Sequence, residues 1–368
     1  MKVWKTVITV LAFSANFTGT AQETDARSAF VDAHYFYGNI LRHNDDIAHL
    51  ITGHPEGVLL GWNKKTFGFH PWEQRYNYPD YGLSFGYQHL KNEALGKNYA
   101  LYAHYNFYFF KRRLMFRIGQ GLAYTTRPYD KEENFRNVAF GSRLMSSTYL
   151  MLNYKKENIL EGFGFQAGLS LIHYSNANVK APNTSINSLV FNLGVNYRPD
   201  DREIPYRTFL PGEKFTWPVK YNMVFRTGIN ESDIAGSGQF PFYIFSFYTD
   251  KRLGRTSAVQ LGTEVFFSNF LKEFIRYRST ALLEGDTITG DEDYKRAGLF
   301  LGHELFVNKL SLITQLGYYV YYPVDFEGRT YFRVGLKRYI NEKFFGALTL
   351  KSHGAKAEAV ELGIGIRL

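Results

Sequence analysis

Apolar and polar residues alternate along the chain from residue 28 to the C-terminus, and this period of two predicts β-strands. In the segment 98–109 the odd positions are all apolar or aromatic, while the even positions include Asn98, His104 and Asn106. Candidate strands lie near 28–41, 56–66, 80–91, 98–110, 112–125, 139–155, 161–176, 186–198, 219–230, 239–250, 255–270, 293–307, 310–322, 329–340, 343–352 and 356–368. Each has one apolar face and one face that is small, polar or charged.

Short polar turns and longer polar loops alternate between these segments. The long loops are 42–55, 126–138, 177–185, 231–238 and 271–292. Short turns at one end and long loops at the other, with an apolar outer face, are typical of an outer-membrane β-barrel, whose closure leaves no strand edge unpaired in lipid. The sequence therefore predicts an all-β fold, an antiparallel outer-membrane β-barrel of about sixteen strands.

Two other architectures fit the same pattern. The segment 199–218 divides the candidate strands into halves of about eight, so an eight-stranded barrel followed by a second β unit is the alternative to one large barrel. In a soluble β-sandwich or propeller, the apolar face would be a core. The aromatic content of 18% and the charges on the opposite face, such as Arg117, Glu361 and Arg367, favour a barrel in a membrane.

The first 21 residues have the features of a secretory signal peptide. Lys2 and Lys5 give a basic start, Val7–Phe13 is apolar, and small residues lead to a cleavage site after Ala21. We therefore expect export to the outer membrane of a Gram-negative cell. The predicted organisation is a signal peptide (1–21), a first barrel half (22–200), a linker (201–218) and a second barrel half (219–368).

Composition excludes several classes of protein. The chain has no cysteine, which rules out disulfides, thiolate metal sites, a lipoprotein anchor and a cysteine nucleophile. Mean hydropathy is −0.29, and no apolar run reaches the roughly 18–20 residues of a membrane-spanning helix. The formal net charge of +9, or +7 without Lys2 and Lys5, is dispersed among aromatic residues. We expect contact with an anionic envelope surface and no nucleic acid partner.

Two neighbouring segments carry polar residues at one end of their apolar faces. The odd positions of 161–176 finish with His173 and Ser175, and those of 187–197 begin with Asn187. Residues two apart in a strand share a face at about 6.5–7 Å, and a hairpin would place Asn187 beside His173. A polar cluster on a lipid face is costly without a function, and a histidine can activate a serine nucleophile. The alternative interpretation is that His173 and Ser175 are ordinary interfacial residues at the level of the lipid headgroups.

The segment 173–183, His-Tyr-Ser-Asn-Ala-Asn-Val-Lys-Ala-Pro-Asn, followed by Ile186-Asn187-Ser188, resembles the signature of the PagL-type outer-membrane lipid A 3-O-deacylases, or acyloxyacyl hydrolases. That signature reads His-x-Ser-Asn-Ala-Gly, then Pro-Asn, then a Glu before the last strand. The resemblance is dense over about 16 residues and extends more weakly back to about residue 80. It does not cover 200–368.

The resemblance implies a carboxylic ester hydrolase that removes an ester-linked 3-hydroxyacyl chain from lipid A, and so modifies lipopolysaccharide. It implies that Ser175 is the nucleophile, His173 the general base and Asn187 the third member of the triad. An oxyanion hole would be formed by Asn183 with the backbone amides near Ala177 and Asn178. The expected partners are lipid A, lipopolysaccharide and outer-membrane lipids, and we expect neither a cofactor nor a metal.

Two residues depart from the family's pattern. Asn187 stands where the family has an acid, and an amide cannot stabilise an imidazolium ion as a carboxylate does. Asn178 stands where the family has a glycine, although asparagine tolerates a positive φ. The second hypothesis is therefore a non-catalytic pore or structural barrel with a decayed hydrolase site.

Other polar residues give weaker signals. Glu361 is expected in the lumen and so cannot replace the missing acid, while Glu358 is expected on the outer face without a tie to the hairpin. One loop collects several residues that could bind a divalent metal, although a solvated loop is the simpler interpretation. These residues are His43, Asp45, Asp46, His49 and His54.

Overall fold

The computed structural model describes residues 28–199, 204–209, 215, 217–281, 287–354 and 356–368. The predicted signal peptide and parts of the predicted linker lie outside these residues. The first eight strands are β1 (Ala29–Ile40), β2 (Glu56–Lys64), β3 (Asp80–His89), β4 (Lys97–Phe109), β5 (Leu114–Thr125), β6 (Leu144–Leu160), β7 (Phe163–Ser175) and β8 (Ile186–Tyr197). The next eight are β9 (Lys220–Asn230), β10 (Phe240–Arg252), β11 (Ser257–Ser268), β12 (Lys295–Val307), β13 (Leu310–Tyr321), β14 (Thr330–Tyr339), β15 (Phe344–His353) and β16 (Lys356–Arg367).

The sixteen strands of the described chain close as two antiparallel barrels of eight. The all-β prediction and the strand number are confirmed, and the arrangement is the one given above as the alternative rather than a single large barrel. β8 returns to β1 through the register Val31↔Tyr197 to Ile40↔Ser188, so the first barrel closes before the second begins. β16 pairs with β9 in the same way, from Leu362↔Thr227 to Arg367↔Asn222.

The outer surface of both barrels is apolar. Leu101 and Leu169 of the first barrel, and Leu261 and Leu301 of the second, each expose more than half of their area. Their neighbours in sequence point inward, because successive side chains of a strand face opposite sides of the sheet. No helix in the described part of the chain is long and apolar enough to cross a membrane.

Both lumens contain buried charged side chains among apolar and aromatic ones. In the first barrel, Arg117 donates to Asp32 through Nη1 and Nη2 (3.1 and 2.5 Å) and to Asn106 through Nε (2.6 Å). In the second, Arg333 bridges the carboxylates of Glu264 and Glu361, at 2.6 to 3.0 Å. Glu361 therefore faces the lumen, as predicted.

The prediction that Glu358 faces outward is wrong. A register shift lies between Lys351 and Ser352 where β15 pairs with β16. It turns the Glu358 side chain inward, where its carboxylate accepts from Arg296 Nη2 at 2.6 Å and from Lys351 Nζ at 2.8 Å. An irregular pairing of this kind reverses the parity of the residues that follow it.

The loops that the structure describes carry two short helices and one longer one. A 3₁₀ helix (Asp45–Leu50) follows β1, α1 (Pro71–Arg75) follows β2, and α2 (Phe270–Ala281) follows β11. The strands of each barrel alternate in direction, so the loops after β1, β5 and β7 lie at one end of the first barrel and those after β9, β11 and β13 at one end of the second. The loops after β7 and β9 meet there, since the amide of Glu231 donates to the carbonyl of Asn178 at 2.9 Å. At the opposite end, Tyr76 beyond α1 donates its hydroxyl to the carbonyl of Phe306 at 2.7 Å, which joins the two barrels.

Candidate active site

A row of polar side chains crosses the outer face of the first barrel at its long-loop end. The row runs over four adjacent strands, since Gln120 of β5 pairs with Thr148 of β6, Thr148 with His173 of β7, and His173 with Asn187 of β8. Directly opposed residues bring their Cβ atoms to about 4.5–5.5 Å. The hairpin of β7 and β8 thus places Asn187 beside His173.

Asn187 orients the imidazole of His173. The Nδ1 atom of His173 lies 2.7 Å from Asn187 Oδ1, and Asn187 Nδ2 lies 3.3 Å from Nδ1 of His43. The ring of His43 lies between two backbone carbonyl oxygens, with Nε2 3.0 Å from that of Thr184 and Nδ1 3.1 Å from that of Leu41. An amide oxygen can only accept, so Asn187 Oδ1 accepts from His173 Nδ1–H. This leaves His173 Nε2 with a free lone pair, which is the form that a general base requires.

Ser175 lies two residues beyond His173 on the same face of β7 and is 5% exposed. The loop 176–185 covers it, so it is buried outside the lumen. The backbone amide of Ala177 donates to Ser175 Oγ at 2.9 Å, and Asn183 Nδ2 lies 3.0 Å from the same oxygen. The Asn183 Oδ1 atom accepts from the amide of Asn176 at 2.9 Å, which directs its NH₂ group toward Ser175.

Two donors therefore converge on the Ser175 hydroxyl, whereas the predicted third does not. The amide of Asn178 donates to Asn176 Oδ1 at 3.0 Å instead. Among the hydrogen bonds of the described residues, none joins His173 to Ser175. Ser175 Oγ also lies within donating distance of Asn183 Oδ1, at 3.1 Å. Rotation about one bond would turn the O–H group from Asn183 Oδ1 toward His173.

The loop 176–185 has an unusual backbone. Ala177 and Asn178 have φ angles of +52° and +62°, so the position that is glycine in the family's pattern does adopt the left-handed region. Asparagine tolerates that region better than alanine does. Gly141 allows the loop after β5 to approach, because a Cβ there would lie 2.4 Å from the carbonyl oxygen of Lys180.

Sequence reasoning missed part of this site. Gln120 and Thr148 interrupt apolar outward faces just as His173 does, and that parity was a usable signal. His43 was noted only as a possible metal ligand. The other two histidines of that loop bond elsewhere: His49 Nε2 lies 2.8 Å from the Arg136 carbonyl oxygen, and His54 Nδ1 lies 2.7 Å from Asn39 Oδ1.

Two family models match this chain. The family model for lipid A 3-O-deacylase (PagL) matches residues 56–196, and the model for the C-terminal domain of acyloxyacyl hydrolase matches residues 219–368. The chain belongs to the PagL-type family. Its second barrel is the additional C-terminal half. The two matches support a hydrolase that acts on lipid A.

Other comparisons of this PagL-type chain add no functional information. None of the curated proteins matches it. Neisserial surface protein A is 14% identical with a TM-score of 0.27, covering 46% of this chain and 97% of that protein. A mutant of the Rh. blastica porin is 8% identical with a TM-score of 0.18, covering 93% of this chain and 99% of that protein.

Proposed function

We propose that the protein is an outer-membrane esterase that removes the ester-linked 3-hydroxyacyl chain from lipid A, with Ser175 as nucleophile and His173 as general base. The observation that carries this proposal is the convergence of Ala177 N and Asn183 Nδ2 on Ser175 Oγ, two residues from a histidine whose Nε2 has no hydrogen bond among the described residues.

The mechanism follows from these positions. His173 Nε2 takes the proton of Ser175 as the serine oxygen attacks the acyl carbonyl carbon. The negative charge that develops on the carbonyl oxygen is stabilised by Ala177 N–H and the Asn183 amide. The intermediate collapses, and the sugar oxygen leaves with the proton from His173. Water, activated by His173, then releases the fatty acid from Ser175 and restores the hydroxyl.

The outer surface supports the proposed location and substrate. Apolar side chains such as Leu169 and Leu189 flank the polar row on the strands that carry His173 and Asn187, and both are exposed. Such a surface suits lipid tails. A lipid A molecule can then approach sideways from the outer leaflet, with its acyl chains along the barrel wall and its sugar at the row. The lumen takes no part.

The alternative of a pore finds little support in the structure. Each barrel has eight strands, and a barrel of that size is filled by its own side chains. Arg117 in the first lumen and Arg333 in the second are both fully buried. A structural barrel with a decayed site is the remaining competitor.

The test is release of 3-hydroxy fatty acid from lipid A by the purified protein in detergent. We expect release from the natural chain and a loss of at least about 10³-fold in Ser175→Ala. Ser170→Ala is the matched control, since it removes a hydroxyl from the lumen face of the same strand. Equal release from the natural chain and Ser175→Ala would remove Ser175 from the mechanism, and conductance across a planar bilayer without release would favour the pore.

A further inference from the structure

The first long loop of the second barrel, residues 231–239, packs against the loop that covers Ser175. The backbone amide of Glu231 donates to the carbonyl of Asn178 at 2.9 Å, and the amide of Ala181 donates to Glu231 Oε2 at 2.9 Å. Asn178 Nδ2 donates to Asp233 Oδ1 at 3.1 Å, and Gln239 Nε2 donates to the carbonyl of Val179 at 2.6 Å. Four hydrogen bonds thus cross from one barrel to the other at the candidate site.

Glu231 is the centre of this contact. Its side chain is buried, and its other carboxylate oxygen, Oε1, accepts from the amides of Gly236 and Gly238 at 2.8 and 3.1 Å. Three backbone N–H groups therefore hold one carboxylate. Hydrogen bonds to an ionised acceptor are about twice as strong as neutral ones, so Glu231 fixes the position of Ala181 relative to its own loop.

The loop 231–239 is itself held to the second barrel. It begins where β9 ends at Asn230, whose Nδ2 donates to the carbonyl of Glu358 on β16 at 3.2 Å. The hydroxyls of Ser232 and Ser237 lie 2.7 Å apart and close the loop on itself. A loop tied down in this way can act as a fixed support for its neighbour.

The loop 176–185, against which residues 231–239 pack, contains residues in a strained backbone conformation. Alanine in the left-handed region costs on the order of 1–2 kcal/mol, and Ala177 has a φ of +52°. That conformation aims the Ala177 amide at Ser175 Oγ. The next residue, Asn178, is held through its carbonyl by Glu231 and through its side chain by Asp233. The asparagine that replaces the family's glycine thus gains a partner that only the second barrel supplies.

We propose that the second barrel positions the oxyanion-stabilising loop of the first, with Glu231 and Asp233 as positioning residues. This inference rests on the proposed function. It gives the C-terminal half a role in catalysis without a chemical site of its own. Substrate meets the first barrel alone, so we expect the second barrel to affect kcat and not KM.

The decisive variant is Glu231→Ala, compared with Glu342→Ala, an exposed residue in a turn at the opposite end of the same barrel. With lipid A in detergent, we expect Glu231→Ala to lower kcat by about 10- to 100-fold, as expected from loss of a hydrogen bond to a charged group, with KM little changed. Glu231→Gln keeps the shape of the side chain, and we expect its kcat to lie between those of Glu231→Ala and Glu342→Ala.

Hydrogen–deuterium exchange of the peptide containing 176–185 gives a second measurement that does not depend on activity. We expect faster exchange in Glu231→Ala and unchanged exchange in Glu342→Ala. An unchanged kcat in Glu231→Ala overturns the inference, whether or not exchange accelerates, and so does a rise in KM alone. If the natural chain releases no fatty acid, the proposed function fails. Accelerated exchange would then still show that Glu231 holds the loop.

Discussion

At the scale of single residues, an amide orients the candidate general base. Asn187 presents its oxygen to His173 Nδ1 at 2.7 Å, and its NH₂ group lies 3.3 Å from His43 Nδ1. A carboxylate at this position would present oxygen whichever way it turned. The geometry of a catalytic histidine is therefore retained without the negative charge that stabilises its protonated form.

Because Asn187 supplies no negative charge beside His173, we expect Asn187→Glu to increase the activity. A carboxylate at Asn187 would stabilise the imidazolium that forms on His173 as Ser175 loses its proton. We expect kcat to rise by roughly 10-fold, far below the about 10⁴-fold that the wrong histidine tautomer costs a serine protease, because the tautomer here is already correct. The measurement is the initial rate of fatty acid release from lipid A.

The control for this prediction is Asn187→Gln, which lengthens the side chain without adding charge. A rise of kcat in both Asn187→Glu and Asn187→Gln would mean that side-chain length, and not charge, causes the gain. If Asn187→Glu instead lowers the rate while the barrel stays folded, the site has diverged from the geometry of the family.

The sequence predicted the face of each strand residue better than the contacts of any loop residue. The period of two placed His173, Ser175 and Asn187 on one face, and the hairpin made His173 and Asn187 neighbours. It could not place His43, which reaches Asn187 across 144 residues of chain. Nor did it indicate that Ser175 lies beneath a loop, because burial by a loop leaves no period in the sequence.

At the scale of elements, the site depends on how closely two loops approach each other. The loop after β5 donates no side chain to Ser175, but its Val138 carbonyl accepts from both the amide and the hydroxyl of Thr184, at 3.2 and 3.0 Å. Gly141 sits against Lys180 and Ala181 with no space for a side chain. Backbone contact between these loops therefore determines where Asn183 lies.

We expect Gly141→Ala to impair catalysis while both barrels remain folded. Its Cβ would lie 2.4 Å from the Lys180 carbonyl oxygen and 2.7 Å from the Ala181 carbonyl carbon, so the loop must move. A misplacement of about 1 Å can cost on the order of 100-fold in rate, and we expect kcat to fall by about 10- to 100-fold. Gly254→Ala is the matched control, because a Cβ at Gly254 meets nothing within 4 Å. Equal rates in the two variants would contradict this account.

The strands were predictable and their closure was not. Each candidate segment overlaps one observed strand, since alternation is a property of the strand itself. Which strand closes on β1 depends on register across the whole sheet, and β8 and β16 both have the apolar outer face that a closing strand needs. The linker near 199–218 was the one sign in the sequence that closure occurs twice.

At the scale of the whole molecule, each barrel contains buried ion pairs together with clusters of apolar and aromatic side chains. Arg333 lies at the centre of the second lumen with its guanidinium between Glu264 and Glu361. Arg226 lies 3.6 Å from Glu264 and 3.8 Å from Glu361, so two cations balance two anions. Removing one member leaves a buried charge without compensation, and this costs about 3–5 kcal/mol.

Arg333→Met is therefore expected to lower the free energy of unfolding of the second barrel by several kcal/mol, measured by denaturant unfolding in detergent. Arg338→Met is the control, because Arg338 lies on the outer face of the same strand and surface substitutions usually change stability by less than about 0.5 kcal/mol. If the second barrel supports the Ser175 loop through Glu231, Arg333→Met also lowers kcat under conditions where the second barrel unfolds and the first does not. Loss of stability without any loss of rate under those conditions would mean that the first barrel works alone.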